Sequence, residues 1–199
     1  RENNWSKFIK THQNVIAACD FFTTEVITPV GLITYYVLFF IHVGSRKVHL
    51  AGITPHPNEG WMKQIAKNLT DTVDGFLNGK RYLLLDRDGK FCPAFNTILE
   101  NEGVNPVPLP PKSPNLNAHL ERFFGSLKSE CLDRMIFFGE RSLRNAVGQY
   151  LLHYHGERNH QSLNNSIITP THEVGRAAGK VQSRQRLGGL LRYYHRSAA

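Results

Sequence analysis

Three carboxylates stand in settings suited to metal-ion chemistry. Asp20 closes the apolar run Val15-Ile-Ala-Ala-Cys-Asp20 and is followed by Phe21 and Phe22. Asp86 ends Arg81-Tyr-Leu-Leu-Leu-Asp86 and opens Asp86-Arg-Asp-Gly-Lys-Phe91. Glu121 lies 35 positions further on, in Ser113-Pro-Asn-Leu-Asn-Ala-His-Leu-Glu-Arg-Phe-Phe-Gly-Ser-Leu-Lys128. A carboxylate in an apolar strand is costly unless it is paired or bound to a cation. Three such acids can hold two Mg²⁺ ions about 3.5–4 Å apart, and such a pair can clamp the attacking and leaving oxygens of a phosphodiester. A salt-bridged aspartate at a strand end is the plainer alternative for Asp20.

The elements that must position these acids follow from the residue pattern. Val15 to Thr23 is apolar, β-branched and aromatic, which predicts a central strand with Ala18, Asp20 and Phe22 on one face. Pro29-Val-Gly31 marks a turn into a second strand, Leu32 to His42. Gly44-Ser45 turns the chain back into a third, Lys47 to Ile53. Trp61, Ile65, Leu69 and Val73 recur every four residues and predict a helix from Trp61 to Leu77. Arg81 to Leu85 reads as a short buried strand. A helix carrying Phe95, Ile98 and Leu99 stops near Gly103, and Val104 to Pro108 returns to a strand. Pro108, Pro110, Pro111 and Pro114 stiffen the next loop. Helices are expected from about Pro114 to Asp133 and from about Arg141 to Tyr154. The order β-β-β-α-β-α-β-α-α implies an α/β fold with a mixed five-stranded sheet flanked by helices.

With these residues in place, the chain resembles the catalytic cores of DDE transposases and retroviral-type integrases, within the ribonuclease-H-like superfamily. The resemblance is nearest to bacterial insertion-sequence transposases and spans roughly Asn14 to Pro170. Spacing alone carries little, since 16 acids give many chance pairs. The flanking residues carry it: Asp-x-x-Gly-x-Phe at Asp86, then Ser-Pro-x-x-Asn-x-x-x-Glu-Arg at Glu121. The pattern places the ligand five residues before a Phe. It therefore selects Asp86 over Asp88, which reads as a solvated or salt-bridged neighbour.

The resemblance implies a ribonuclease-H-like fold and catalytic, metal-binding roles for Asp20, Asp86 and Glu121. The implied cofactor is Mg²⁺, two ions, with Mn²⁺ able to substitute. The implied reaction is cleavage of a DNA strand to expose a 3′-OH, then attack of that 3′-OH on a target strand. Neither step forms a covalent protein–DNA intermediate. The implied partners are DNA, as element ends and target, and further copies of the chain assembled on that DNA. Asn117 lies one turn before Glu121 and Lys128 two turns after it, so all three share a helix face. The resemblance turns Asn117 and Lys128 towards DNA. Arg122 and Lys128 suit phosphate contacts, which position DNA without specifying sequence. Lys112 and Ser113 fall in the proline-rich loop beside the site, and Arg158 lies in a segment that ends the core. A nuclease that cuts without joining, a decayed element that only binds DNA, and a protein whose acids form salt bridges remain as alternatives.

Three histidines, His153, His155 and His160, cluster near the end of the core, but no cysteine or acid accompanies them at a recognised zinc spacing. They read as structural or DNA-facing. The organisation expected is an opening segment over residues 1–13, a catalytic core over 14–170 and a basic extension over 171–199. From Val174 to the end there are six Lys/Arg and no Asp or Glu. That stretch could be a DNA-binding extension, a protein-contact helix or a solvated tail.

The net charge of +8 over 199 residues favours a polyanionic partner. Cys19, Cys92 and Cys131 are scattered and odd in number, which excludes a disulfide framework or a C-x-x-C zinc site and fits a reducing compartment. The expected location is the bacterial cytoplasm, in association with the nucleoid. No Gly-rich phosphate loop is present. Val30 to Val43, the longest apolar stretch, is too short to span a bilayer, so no membrane partner is expected.

Overall fold

The computed structural model describes residues 4–109, 118–171, 174 and 178–197. The chain divides into two compact units, one of Arg1–Glu25 with Leu32–Phe123, the other of Val26–Gly31 with Phe124–Ala199.

The first unit is built on the mixed five-stranded sheet anticipated from the sequence. Its strands are β1 (Ile16–Thr28), β2 (Gly31–His42), β3 (Val48–Thr54), β4 (Tyr82–Leu85) and β5 (Asn105–Pro108), in the spatial order β3-β2-β1-β4-β5. The turn Pro29–Val30 joins β1 to β2, and Thr28 Oγ1 fixes it by donating to the Gly31 carbonyl at 2.7 Å. β2 and β3 pair antiparallel, whereas β1, β4 and β5 run parallel. The parallel strands need long crossovers, and helices supply them.

Those helices cover one face of the sheet. The first crossover is α2 (Glu59–Leu69), capped by the Asn58 side chain, which accepts from Trp61 N at 2.9 Å. Its apolar stripe, Met62, Ile65, Ala66 and Leu69, packs with Ala17, Cys19, Leu38, Phe40, Leu83 and Leu85. Gly52 admits the helix closely: a Cβ there would stand 2.6 Å from the Trp61 ring. The second crossover is α3 (Pro93–Asn101), which adds Phe95 and Leu99 to the same core. Alternation along β1 therefore sends Ala17 and Cys19 into this core and Ala18 and Asp20 to the opposite face.

Helix α2 is shorter than its periodicity implies, ending at Leu69 rather than Leu77. Thr70 caps it, and Asp71 Oδ1 then accepts from Val73 N at 2.9 Å and from Asp74 N at 3.4 Å. This local side-chain bonding replaces helix bonding. Val73, the next residue of the supposed stripe, is 90% exposed. Ahead of the sheet, the opening residues form a short helix, α1 (Asn4–His12), whose Phe8 and His12 rings meet Tyr82 edge-on.

Helix α4 (Ala118–Glu130) crosses the division between the units: its first residues belong to the first unit and those from Phe124 to the second. The part of this helix expected over Pro114–Asn117 lies outside the described residues. The second unit continues with α5 (Gly139–Gly156), longer at both ends than expected, which buries Leu143, Ala146, Val147, Tyr150 and Tyr154. The basic tail is a β-hairpin rather than a helix. Strand β6 (Val181–Arg186) pairs antiparallel with β7 (Leu191–Arg196) across a turn in which Gly188 and Gly189 take positive φ angles of 67° and 91°. Among the described residues no helix is long and apolar enough to cross a membrane.

Candidate active site

The site grows out of the parallel pairing of β1 and β4. Ile16 pairs with Tyr82, Ala17 with Leu83 and Ala18 with Leu84. The pairing stops two residues short of Asp20 and Asp86 and points both acids towards the same end of the strand pair. Both lie on the face away from the α2–α3 core, because Leu83 and Leu85 point into it. Asp86 sits just past the carboxyl end of β4, the position where open α/β sheets usually bind their ligands.

Backbone donors fix the two aspartates. Asp20 Oδ1 accepts from Phe21 N at 2.7 Å, and Asp86 Oδ1 accepts from Asp88 N at 3.1 Å. The second bond winds Asp86-Arg-Asp into a tight turn. Asp88 continues it, accepting from Lys90 N at 3.0 Å and pairing with the Lys90 ammonium. Lys90 in turn lies 5.2 Å from the Phe21 ring centre and 5.3 Å from that of Tyr36. Asp88 is thus the salt-bridged neighbour expected from sequence. Arg87, not singled out by sequence, donates from Nε to the Leu109 carbonyl at 3.2 Å. It ties the Asp86 turn to the end of β5, and no local pattern announces a partner 22 positions away.

The electrostatics join the third acid to the first two. Asp20 is half-buried, and its carboxyl is pushed up to about 6. Burial contributes most; Asp86, Asp88 and Glu121 each add repulsion, against the opposing Phe21 hydrogen bond. Glu121 lies exposed in the first described turn of α4. The structure therefore gathers Asp20, Asp86 and Glu121 into one electrostatic neighbourhood, together with Asp88. On the same helix turn, burial holds the His119 imidazole down to about 4, with Arg46 and Arg122 adding to it.

Among the described residues, no group of three or more His, Cys, Asp or Glu is arranged to hold a metal ion as it stands. The donor chemistry nonetheless fits Mg²⁺. That ion takes hard oxygen ligands and usually binds through one or two carboxylates, completing its shell with water and substrate phosphate. The adjacent Asp20 and Asp86 offer such a pair, and a divalent cation would relieve the repulsion that raises Asp20.

The remaining candidates divide. Lys112, Ser113 and Asn117 lie outside the described residues. Arg122 and Lys128 are exposed on α4. Arg158 is half-buried and engaged within the second unit: Nη1 reaches Glu130 Oε2 at 2.8 Å and the Tyr150 hydroxyl at 3.1 Å. The three histidines form no metal site among the described residues. His160 is buried with Nε2 2.7 Å from the Tyr154 carbonyl, while His153 Nδ1 lies 2.9 Å from Glu157 Oε2.

Glu157 is a structural residue that no sequence motif marks. Its side chain is 2% exposed. It meets Arg186 through Nη2 at 2.7 Å and Nε at 3.0 Å, and Arg184 through Nη1 at 3.3 Å. Arg186, through Nη1, also donates to Gln149 Oε1 at 2.9 Å. These bonds seat the hairpin on α5. Hydrogen bonds and charge from Arg186, with His153 and Arg184, overcome the burial penalty and hold the Glu157 carboxyl down at about 2.

Comparison with known proteins bears on the fold. Residues 102–170 match the family model described as an integrase core domain. The HTLV-2 integrase catalytic core domain, solved in complex with magnesium, superposes with a TM-score of 0.53 at 14% identity, over 78% of this chain and 93% of that one. The simian T-cell lymphotropic virus intasome, solved with PP2A regulatory subunit B56 gamma, gives a TM-score of 0.54 at 13% identity, over 92% of this chain and 67% of that one. No curated protein matches the sequence. The fold is thus that of the integrase catalytic cores, which are ribonuclease-H-like. The sequence likeness to the integrase core domain is confined to residues 102–170, and the structural likeness is one of fold. The family match includes Glu121 but not Asp20 or Asp86, so the case for those two rests on the strand register and the shared electrostatics.

Proposed function

We propose that this chain cuts and joins DNA strands in a transposition or integration reaction, with Asp20, Asp86 and Glu121 as its catalytic carboxylates. What supports the assignment is the parallel register of β1 and β4, which runs towards Asp20 and Asp86, together with the repulsion that Asp86 and Glu121 exert on the Asp20 carboxyl. The three acids would hold Mg²⁺, two ions, with Mn²⁺ as a substitute. When bound, the metal supplies charge neutralisation at the phosphodiester and a more acidic water.

The chain's own residues supply position. The Phe21 and Asp88 amides hold one oxygen each of Asp20 and Asp86, which restricts both side chains. Lys90 holds Asp88, and Arg87 ties the turn to β5. Arg122 and Lys128 are exposed cations on the helix that bears Glu121, and we assign them to DNA phosphates together with Lys112, Ser113 and Asn117. Contact through Arg158 requires a phosphate to displace Glu130 from its guanidinium. The partners in this reading are element ends, target DNA and further copies of the chain, in the bacterial cytoplasm on the nucleoid.

The test compares the chain with its Glu121→Gln variant on labelled DNA bearing element ends and flanks, in Mg²⁺ or Mn²⁺, with EDTA as control. Metal-dependent cleavage and joining, lost in the variant, is the expected result. Cleavage without joining would replace the proposal with a simple nuclease. Binding without either reaction would replace it with a DNA-binding remnant.

A further inference from the structure

The hairpin β6–β7 has two faces of different chemistry. Its register opposes Arg184 to Tyr193 and Arg186 to Leu191, and in alternation Val181 to Arg196, Ser183 to Tyr194 and Gln185 to Arg192. Opposed residues share a face and successive residues alternate. One face therefore carries Arg184, Arg186 and Leu191; the other carries Arg192, Tyr194 and Arg196. The first is committed, with Leu191 buried and both arginines on Glu157.

The second face is open. Tyr194 is 64% exposed, and Arg192 and Arg196 are exposed on either side of it. Arg192 donates from Nε to the Gly189 carbonyl at 3.3 Å, and Arg196 from Nη1 to the Gly179 carbonyl at 2.9 Å. These bonds orient each guanidinium without neutralising it, and each retains further N–H donors. Four residue steps along the strand set the two arginines roughly 13 Å apart, enough to reach two separate phosphates. No acid occurs from Val174 onward to oppose an approaching anion.

We infer that this outer face binds the phosphate backbone of duplex DNA, with Arg192 and Arg196 each taking a phosphate and the Tyr194 hydroxyl between them. The inference deepens the DNA reading above and rests on it: it names a phosphate-binding surface carried by the second unit itself. Glu157 gives the surface its rigidity, because it anchors the opposite face to α5.

The test is fluorescence anisotropy of the full chain on a labelled duplex in EDTA, at salt between about 50 and 200 mM. Each phosphate that a protein neutralises adds about 0.9 to the log–log salt slope, so the R192A/R196A variant should show a slope shallower by roughly two. Over that salt range its affinity should fall roughly tenfold less than that of the wild type. The charge-matched K63A/R144A variant, which removes cations paired with Glu59 and Glu140, should keep the wild-type slope. R192K/R196K should keep it too, with the outer-face charge intact. Equal slopes for wild type and R192A/R196A would overturn the inference, as would an equally shallow slope in K63A/R144A. Should the wild type cut and join DNA while R192A/R196A binds unchanged, only this surface fails. Should the wild type bind no duplex, the DNA reading fails with it.

Discussion

The molecule places acidic side chains out of full contact with water in two regions and treats them in opposite ways. In the second unit, Glu157 is enclosed by two arginines and a histidine, and its carboxyl is driven down to about 2. In the first unit, the charges acting most strongly on Asp20 are three further acids, and its carboxyl is driven up to about 6. The protein's own cations satisfy the first region, which holds a hairpin in place. The second keeps its repulsion uncompensated beside a parallel strand pair, as the cation site proposed above would require.

The largest test of that contrast is catalytic. Asp20→Asn, Asp86→Asn or Glu121→Gln should each lower strand cleavage at least ~10³-fold while leaving duplex affinity within about twofold, read by gel assay and anisotropy on the same preparation. Retained cleavage in any one would remove that acid from the site. Next comes Glu157→Gln, which leaves the partly exposed Arg184 and Arg186 without their anion and should cost about 2 kcal/mol in denaturant unfolding. The wild type should also lose Glu157's contribution as pH falls. A carboxyl with a depressed folded pKa stabilises above its ordinary value near 4.5 and stops doing so as pH drops towards about 2.

Smaller and opposite in sign is the stability effect of Asp20→Asn. Removing a repelled charge should raise stability by roughly 1 kcal/mol in metal-free buffer, as expected of a site that trades stability for function. A destabilised variant would mean that Asp20 is a structural anion like Glu157. The smallest effect concerns His42, which lies outside both regions. Its ring stacks on Phe76 at 3.9 Å and contacts the Phe76 carbonyl through Nε2 at 2.8 Å; burial, with help from Lys80 and Lys47, lowers it to about 4. The unfolded chain gains that proton near pH 6.5 and the folded chain does not until about 4. Stability should therefore fall as pH drops through that window, and His42→Phe should flatten the decline.

The three candidate acids stood out because each sits in a local signature: an apolar strand before Asp20, a Gly-Phe turn after Asp86, an Asn-Glu-Arg helix around Glu121. The strand and helix order followed from hydrophobic period and turn residues. The end of α2 did not, because Asp71 bonds its own backbone and overrides a spacing that extends to Val73. The hairpin is signalled by Gly188-Gly189 between two alternating runs, but six cations without an acid are the stronger local signal and point to charge instead. The role of Glu157 was not legible at all. Its partners lie 27 and 29 positions further on, and no pattern in either segment names the other.

The register of β1 and β4 also sets the order of events in the life of the chain. Strand partners in that pair stand 66 positions apart, with a hairpin and a helix in the chain between them. Closing so long a loop is slow compared with forming a helix or a hairpin. A ribosome-bound chain that has released residues only as far as Leu85 has Asp20 but no Asp86 to set beside it. The pairing of β1 with β4 is therefore available only once the chain has been made through Leu85, and a copy that stops short of Asp86 has Asp20 alone.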